Sequence, residues 1–313
     1  MSNSSAISQN TSINLFNWFI LIILSFLWGG SFFFNGVAVK ELPVLTVVLG
    51  RVSLAAFALF FYLRIRGHHF PTDLPTLKAF AVIGLVNNLI PFSLIVFGQT
   101  HISSGLASIL NATTPLFAAL VAHLIGNEAS EKLTIRRTVG ILLGIAGVAI
   151  MLGPDIGTYG LSSMAVLGQF AVLGATFLYG FGVVYVRRLS QQGIEPAVSA
   201  TGQVAATTVI LLPIVLIVDQ PWTFIASVSD TVLLAIGGLA FFSTAVAYIL
   251  YFHLIKTAGS TNASLVTLLI PVSAIIMGYL FLGESISLIA LAGMGCIAMG
   301  LLVIDGRLLN YFR

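Results

Sequence analysis

The sequence predicts an all-α integral membrane protein in which ten transmembrane helices form two inverted five-helix repeats around a central cavity. Three observations predict this fold class. The 313 residues are 58% hydrophobic and only 7% charged, whereas soluble globular chains are roughly 25% charged. The apolar residues form long runs joined by short connections, and the second half of the chain repeats features of the first half.

Ten apolar runs follow one another along the chain, each close to the roughly 20 residues that cross a hydrocarbon core of about 30 Å. Residues 1–17 precede them, lack Lys and Arg, and are interpreted as a polar N-terminal tail before a retained first span. The connections are too short for a soluble catalytic domain. The predicted spans are 18–39, 44–63, 77–98, 102–125, 135–152, 161–186, 197–218, 231–254, 260–282 and 286–304.

The basic residues predict how these spans are oriented. With the N-terminus in the cytoplasm, eleven of the thirteen Lys and Arg residues fall on the cytoplasmic side, Lys40 alone falls outside, and Arg51 lies within a span. Cytoplasmic loops carry an excess of positive charge. The bias therefore predicts a multi-pass protein of the plasma membrane, the inner membrane of a prokaryote, with both termini in the cytoplasm. The cytoplasmic residues are Arg64, Arg66, Lys78, Lys132, Arg136, Arg137, Arg187, Arg188, Lys256, Arg307 and Arg313.

An internal repeat divides the chain into 18–152 and 153–313. Residues 105–128 align with residues 261–284 without a gap. Because each repeat has an odd number of spans, the second enters the bilayer from the opposite side, which is typical of alternating-access transporters. The identical aligned pairs are Ala107 with Ala263, Ser108 with Ser264, Pro115 with Pro271 and Glu128 with Glu284.

Prolines are predicted to break four spans, at Pro91, Pro115, Pro213 and Pro271. A proline has no N–H, so the carbonyl four residues earlier loses its helical partner and needs another partner or cavity water. Those carbonyls belong to Asn87, Asn111, Val209 and Thr267. Because asparagine facing lipid is unfavourable, Asn87 and Asn111 are predicted to line a substrate cavity, with Thr267 as a counterpart by symmetry. The alternative is a kink satisfied by neighbouring helices, with asparagine joining the helices.

Three aromatic residues are further candidates for the cavity wall. Trp28 and Tyr179 occupy matching mid-span positions of the two repeats, where an aromatic ring offers a large contact area and a polar handle. Tyr248 follows Ser243 and Thr244 in span eight. The alternative for all three rings is core packing, because the chain holds 23 phenylalanines.

Arg51 is predicted to serve either substrate or structure. It follows Val44 by seven residues, about 10 Å of helix at 1.5 Å per residue. Its side chain can extend to the outer interface, meet a substrate carboxylate, or orient carbonyls of a broken helix, and the last interpretation is favoured. Asn88 and Gln203 are candidates for the same two roles. Gln203 stands near the position of Arg51 in the second repeat, so a role of Arg51 is not duplicated.

The acidic residues, the single cysteine and the missing catalytic motifs argue against several classes of function. No Asp or Glu lies mid-span, so no carboxylate proton relay is predicted, and Glu128 and Glu284 are predicted to cap the helices that follow them. The single cysteine excludes an internal disulfide and a Cys-rich metal site. No catalytic residue, metal or cofactor is predicted, because HExxH, GxSxG and paired aspartates are missing from the sequence. An intramembrane enzyme, or a channel or sensor without a transport cycle, stays as the alternative to a transporter.

The sequence resembles the ten-helix EamA-type branch of the drug/metabolite transporter superfamily. The resemblance rests on "LWGGSFF" in span one, "PVLTVVLGRVSLAAF" in span two and the duplicated segments at 105–128 and 261–284. It implies a basket of ten helices, with spans five and ten at the periphery, that moves small metabolites and often exports amino acids or related compounds. The expected partners are a small-molecule substrate and the lipid bilayer, not nucleic acid, and a monomer or homodimer is expected.

Overall fold

The computed structural model describes residues 14–126 and 132–306. Within these residues the chain is helical and forms no strand. Nine helices of the described chain are long and apolar enough to cross a membrane, and a tenth apolar segment, Val266–Leu282, is shorter. They follow the predicted spans in order, which confirms the all-α membrane fold. Most of the predicted tail, Glu128 and both chain ends lie outside the described residues.

The helices are numbered α1 to α10 in chain order. Helix α1 begins at Leu15, three residues before the predicted span, because the side chain of Asn14 caps it. Helix α5 continues past residue 152 to Tyr159 and contains Pro154. The helices are α1 Leu15–Ala38, α2 Val44–Ile65, α3 Leu74–Gln99, α4 Ser104–Ile125, α5 Ile135–Tyr159, α6 Met164–Gln191, α7 Pro196–Val218, α8 Asp230–Ala258, α9 Val266–Leu282 and α10 Leu288–Asp305. The short helix Ser260–Ala263 precedes α9.

Corresponding helices of the two halves make corresponding contacts. Helix α1 packs on α9 as α6 packs on α4, while α3 contacts α6 and α7 as α8 contacts α1 and α2. Helix α2 packs directly on α7, its counterpart. These pairings are those expected of a repeated unit, and the inversion of one repeat relative to the other stays a prediction.

Helices α5 and α10 pack mainly on each other, through glycines. A Cβ atom added at Gly140 would lie 2.5 Å from the carbonyl oxygen of Gly300, and one at Gly147 would lie 2.6 Å from that of Gly293. The two backbones therefore approach as closely as small residues permit.

Several helices are irregular near their middle. Helix α3 contains the π-helical turn Leu85–Leu89, and α8 contains the π-helical turn Phe241–Val246. The alignment offset that places residues 105–128 on residues 261–284 also places 85–89 on 241–245. The two π-turns therefore occupy the same position in the two repeats.

The prolines explain only part of this pattern. Pro91 and Pro115 lie in the first turn of the helical segment that follows each interruption, which is where a missing N–H costs least. Helix α7 is continuous through Pro213, and Pro271 lies inside the helix Val266–Met277. No helix end therefore lies at Pro213 or Pro271, and a role of these two prolines as breaks in the transport cycle stays a prediction. Val209, whose carbonyl Pro213 releases, is 72% exposed and lies on the outer surface of the bundle rather than in its interior.

Candidate functional site

The two π-turns bring polar side chains into the middle of the bundle. Asn87 and Asn88 lie in the π-turn of α3, and Ser243 and Thr244 lie at the matching positions of α8. Asn88, Ser243 and Thr244 are buried. A π-turn inserts an extra residue into a helix, and such turns are frequent at functional sites.

Arg51 of α2 reaches the π-turn of α8. Its Nε donates a hydrogen bond to Oγ1 of Thr244 at 3.0 Å, and its Cζ lies 3.7 Å from the centre of the Phe92 ring. Thr244 in turn donates to the carbonyl oxygen of Leu239 at 2.8 Å. Because Arg51 is only 7% exposed, its side chain faces inward and does not extend to the interface.

Two of the predicted tyrosines lie within electrostatic range of this guanidinium. The phenol groups of Tyr179 and Tyr248 lie close enough to Arg51 to interact with it electrostatically. The hydroxyl of Tyr248 donates a long hydrogen bond, 3.4 Å, to Oδ1 of Asn88, while Nδ2 of Asn88 is buried without a partner. The structure therefore brings four sequence-predicted residues together: Arg51, Asn88, Tyr179 and Tyr248.

Asn87 is engaged on the other side of α3. Its Nδ2 donates to Oε1 of Gln203 at 2.8 Å, which joins α3 to α7. Helix α6 also approaches closely, because a Cβ atom at Gly182 would lie 2.5 Å from Oδ1 of Asn87. The pair Asn87 and Gln203 thus joins helices, which is the alternative that the sequence left open for Asn87. A cavity role for either residue stays a prediction.

The other three candidates lie apart from Arg51 in the described contacts. The Trp28 ring packs on that of Tyr251, with 5.0 Å between centroids. The carbonyl of Asn111, which Pro115 releases, accepts a hydrogen bond from the Thr114 hydroxyl at 2.8 Å, yet Oδ1 of Asn111 is buried without a partner. The hydroxyl of Thr267 donates to the carbonyl of Ser264, which lies just before α9, at 2.7 Å.

A buried polar network closes one end of the bundle. We call the end that holds Lys40, which is predicted to face outside, the outer end. There Asn35 of α1 donates to Gln99 of α3 at 3.0 Å, and Gln99 donates to Oγ of Ser104 of α4 at 3.1 Å. Glu284, after α9, accepts from the backbone N–H groups of Ser104 and Gly105 at 3.0 and 3.3 Å. Glu284 therefore caps α4, and the prediction that it caps the helix following it is wrong.

Two further carboxylates join the halves at the outer end. Asp219, at the end of α7, accepts from the N–H and hydroxyl of Thr46 at 2.9 and 2.7 Å. Glu41, between α1 and α2, accepts from the N–H and hydroxyl of Ser229, each at 2.7 Å. These hydrogen bonds, with the backbone one first, hold the pKa of Glu41 below its ordinary value. The sequence analysis missed both contacts, because their partners are far apart in the chain.

A cavity of about 290 Å³ lies at the opposite, inner end, between the start of α3 and the end of α6. None of the predicted substrate residues lines it. The lining residues are Pro75, Thr76, Ala79, Tyr185, Arg188, Leu189 and Gln192.

Comparison with known proteins gives consistent matches over the whole chain. Residues 16–153 and residues 166–305 each match the EamA-like transporter family. The chain is 29% identical to the inner membrane transporter YedA of Escherichia coli strain K12, over 91% of this chain and 89% of YedA. It is 24% identical to the transporter YoaV of Bacillus subtilis strain 168, over 93% of this chain and 95% of YoaV.

Two further matches bear on substrate and fold. The S-adenosylmethionine/S-adenosylhomocysteine transporter of Chlamydia trachomatis serovar L2 is 24% identical, over 90% of this chain and 86% of that protein. A solved crystal structure aligns with a TM-score of 0.65 at 18% identity, over 94% of this chain and 96% of that chain. At this identity the structural match shows a shared fold.

Proposed function

This chain belongs to the EamA-like transporter family, and from that premise we propose that it is a secondary transporter that exports small amino-acid-like metabolites by alternating access. Membership makes it a multi-pass membrane transport protein with a small-molecule substrate, and it points away from an enzyme. The substrate class, the direction, the inner-membrane location with cytoplasmic termini, and the inverted relation of the repeats are parts of the proposal.

The paired π-turns carry this proposal. They interrupt α3 and α8 at matching positions, and their buried side chains join the two halves: Thr244 of α8 accepts from Arg51 of α2, and Asn88 of α3 accepts from Tyr248 of α8. In transporters built from repeats, the substrate site lies near the midplane where interrupted helices of both repeats meet. A rocking motion of one repeat against the other then exposes the same site to each side in turn.

The two ends of the bundle support the alternating-access part of the proposal. At the outer end, Glu284, Asp219 and Glu41 each connect one half of the chain to a helix start of the other half. The cavity between α3 and α6 lies at the inner end. Opening the outer end requires these cross-repeat bonds to break, as a transport cycle demands.

The chemistry of the site supports an amino-acid-like substrate. A buried guanidinium and an uncharged amide suit the carboxylate end of a small zwitterion. The Chlamydia relative is named for a solute that carries an amino-acid end group. The export direction follows from the family resemblance.

Counterflow in proteoliposomes tests the proposal. Vesicles holding purified protein are loaded with one amino acid of a panel, and uptake of the same radiolabelled amino acid is measured against protein-free vesicles. We expect a transient, concentrative uptake for at least one amino acid. Solute-independent ion current would instead favour a channel, and an absence of exchange for all amino acids would contradict the proposed substrate class.

A further inference from the structure

Arg51 is a buried cation without an anionic partner. Among residues 14–126 and 132–306, no carboxylate forms an ion pair with it, and its neighbours are a threonine hydroxyl, a phenylalanine ring and two tyrosines. A charged side chain inside a membrane protein is unfavourable unless it is paired, and such residues mark substrate pathways. No described residue near Arg51 is its counter-ion, so the counter-ion comes from elsewhere.

The geometry holds the guanidinium ready for that counter-ion. Nε is tied to Thr244, and the planar group lies over the Phe92 ring, so two contacts fix its orientation. The two terminal amino groups have no hydrogen-bond partner among the described residues. A guanidinium fork of this kind matches the two oxygens of a carboxylate, which it binds with two parallel hydrogen bonds.

The structural role that the sequence favoured for Arg51 stays a prediction. That role was to orient carbonyl groups of a broken helix, yet the one described hydrogen bond of Arg51 goes to a side-chain hydroxyl. The π-turn of α8 is satisfied locally instead, since Thr244 donates to the carbonyl of Leu239.

Two unpartnered polar groups in the same π-turns point to a ligand. Nδ2 of Asn88 and Oγ of Ser243 are buried, and neither has a hydrogen-bond partner among residues 14–126 and 132–306. Asn88 accepts from the hydroxyl of Tyr248, and that tyrosine interacts electrostatically with Arg51, which relates the amide to the guanidinium. An amide N–H and a hydroxyl both donate hydrogen bonds, and a carboxylate accepts about four.

We infer that Arg51 binds the carboxylate of the transported solute, and that Asn88 and Ser243 donate to the same group. The site therefore selects small amphipathic solutes with an anionic end. This inference rests on the proposed transport function and adds the residue that determines specificity. Loss of a hydrogen-bonded charge partner corresponds to roughly a 10- to 100-fold loss of affinity for carboxylate solutes.

Matched solutes test the inference in proteoliposomes. Leucine, phenylalanine, methionine and threonine are each compared with the carboxamide, which lacks the carboxylate, and with the deaminated acid, which keeps it. The proteins compared are wild type, Arg51→Gln, Arg51→Lys and Arg64→Gln. The last removes an exposed arginine at the inner end of α2 and serves as the matched control.

The expected result is that wild type and R64Q prefer acids to amides at least about tenfold, and that R51Q loses this preference. R51K keeps the charge but not the fork, so its affinity for acids falls while the preference for acids persists. If R51Q does not fold, the affinity of R51K for acids therefore tests the inference instead.

Three results would overturn the inference. The first is that wild type exchanges acids and amides alike. The second is that the Arg51 variants keep the solute preference of wild type with unchanged affinity. Either result would contradict carboxylate binding by Arg51 without contradicting the proposed transport function. If wild type exchanges no acid, amide or deaminated acid, both the inference and the proposed substrate class fall.

Discussion

The Thr244 hydroxyl links an irregular backbone to a buried charge. It donates to the Leu239 carbonyl, five residues earlier, and accepts from Nε of Arg51. The first bond depends on the π-turn, because a π-helix brings residues that are five positions apart into hydrogen-bonding distance. The second fixes the plane of the guanidinium, so a change at this one hydroxyl reaches both the helix and the proposed solute site.

Replacing Thr244 by Val keeps the shape of the side chain but removes the acceptor for Nε of Arg51. We expect a stability loss of about 1–3 kcal/mol, because a buried donor is left unsatisfied, and roughly tenfold slower solute exchange. Thr208→Val is the control, since the Thr208 hydroxyl bonds only to the carbonyl of Val204 in its own helix. Thermal unfolding and counterflow measure both effects, and equal behaviour of the two variants would contradict the role given to Thr244.

Glu41 makes the outer end sensitive to acid. Its pKa is lower in the folded protein than the ordinary 4.5, because Ser229 donates to the carboxylate. The stabilising contribution is therefore fully present above the ordinary pKa and is lost as the pH falls through the lowered value. We expect the protection of the amides at the start of α8 against hydrogen exchange, relative to their intrinsic exchange rates, to be constant from about pH 8 to 6 and to fall in acid. Glu41→Gln should flatten that acid dependence, and an unchanged profile would show that Glu41 is not its source.

The spans themselves were predictable because each depends on a sum over many residues. About 20 apolar residues in a row specify a membrane helix whatever their exact order. The interruptions were not predictable in the same way. Proline position suggested four breaks, yet α7 passes straight through Pro213, while α8 is irregular at Phe241–Val246 with no proline inside that turn.

The partners of the polar residues were also beyond the sequence. Asn87 was a candidate because of its distance from Pro91, but its amide meets Gln203, 116 positions away. The packing of the helices decides whether a given amide side chain pairs with another helix or has no partner. The sequence identified Arg51, Asn88, Tyr179 and Tyr248 one by one, and only the fold shows that they are neighbours.

The α5–α10 contact gives a test of packing that leaves the solute site untouched. A Cβ atom at Gly300 would lie 2.5 Å from the carbonyl oxygen of Gly140, whereas one at Gly295 of the same helix meets nothing within 4 Å. Gly300→Ala should therefore lower the thermal unfolding midpoint, because a backbone must shift. Gly295→Ala should leave the midpoint unchanged or raise it, and equal midpoints would argue against close packing of these helices.

The whole bundle combines a closed outer end, a polar centre and a cavity at the inner end. Three carboxylates hold the halves together at the outer end. The centre takes residues from both halves. We interpret this arrangement as one state of a transport cycle, in which the cross-repeat bonds outside and the contacts inside alternate.

Accessibility of the central site from each side of the membrane is the most direct test. Ser243→Cys is made in a chain whose single cysteine is removed by Cys296→Ala, and a membrane-impermeant thiol reagent is applied to vesicles of either orientation. The account predicts that Cys at this position reacts from both sides and that a transported solute protects it from both. Reaction from one side only, or no protection by solute from either side, would contradict a shared site that opens to each side in turn.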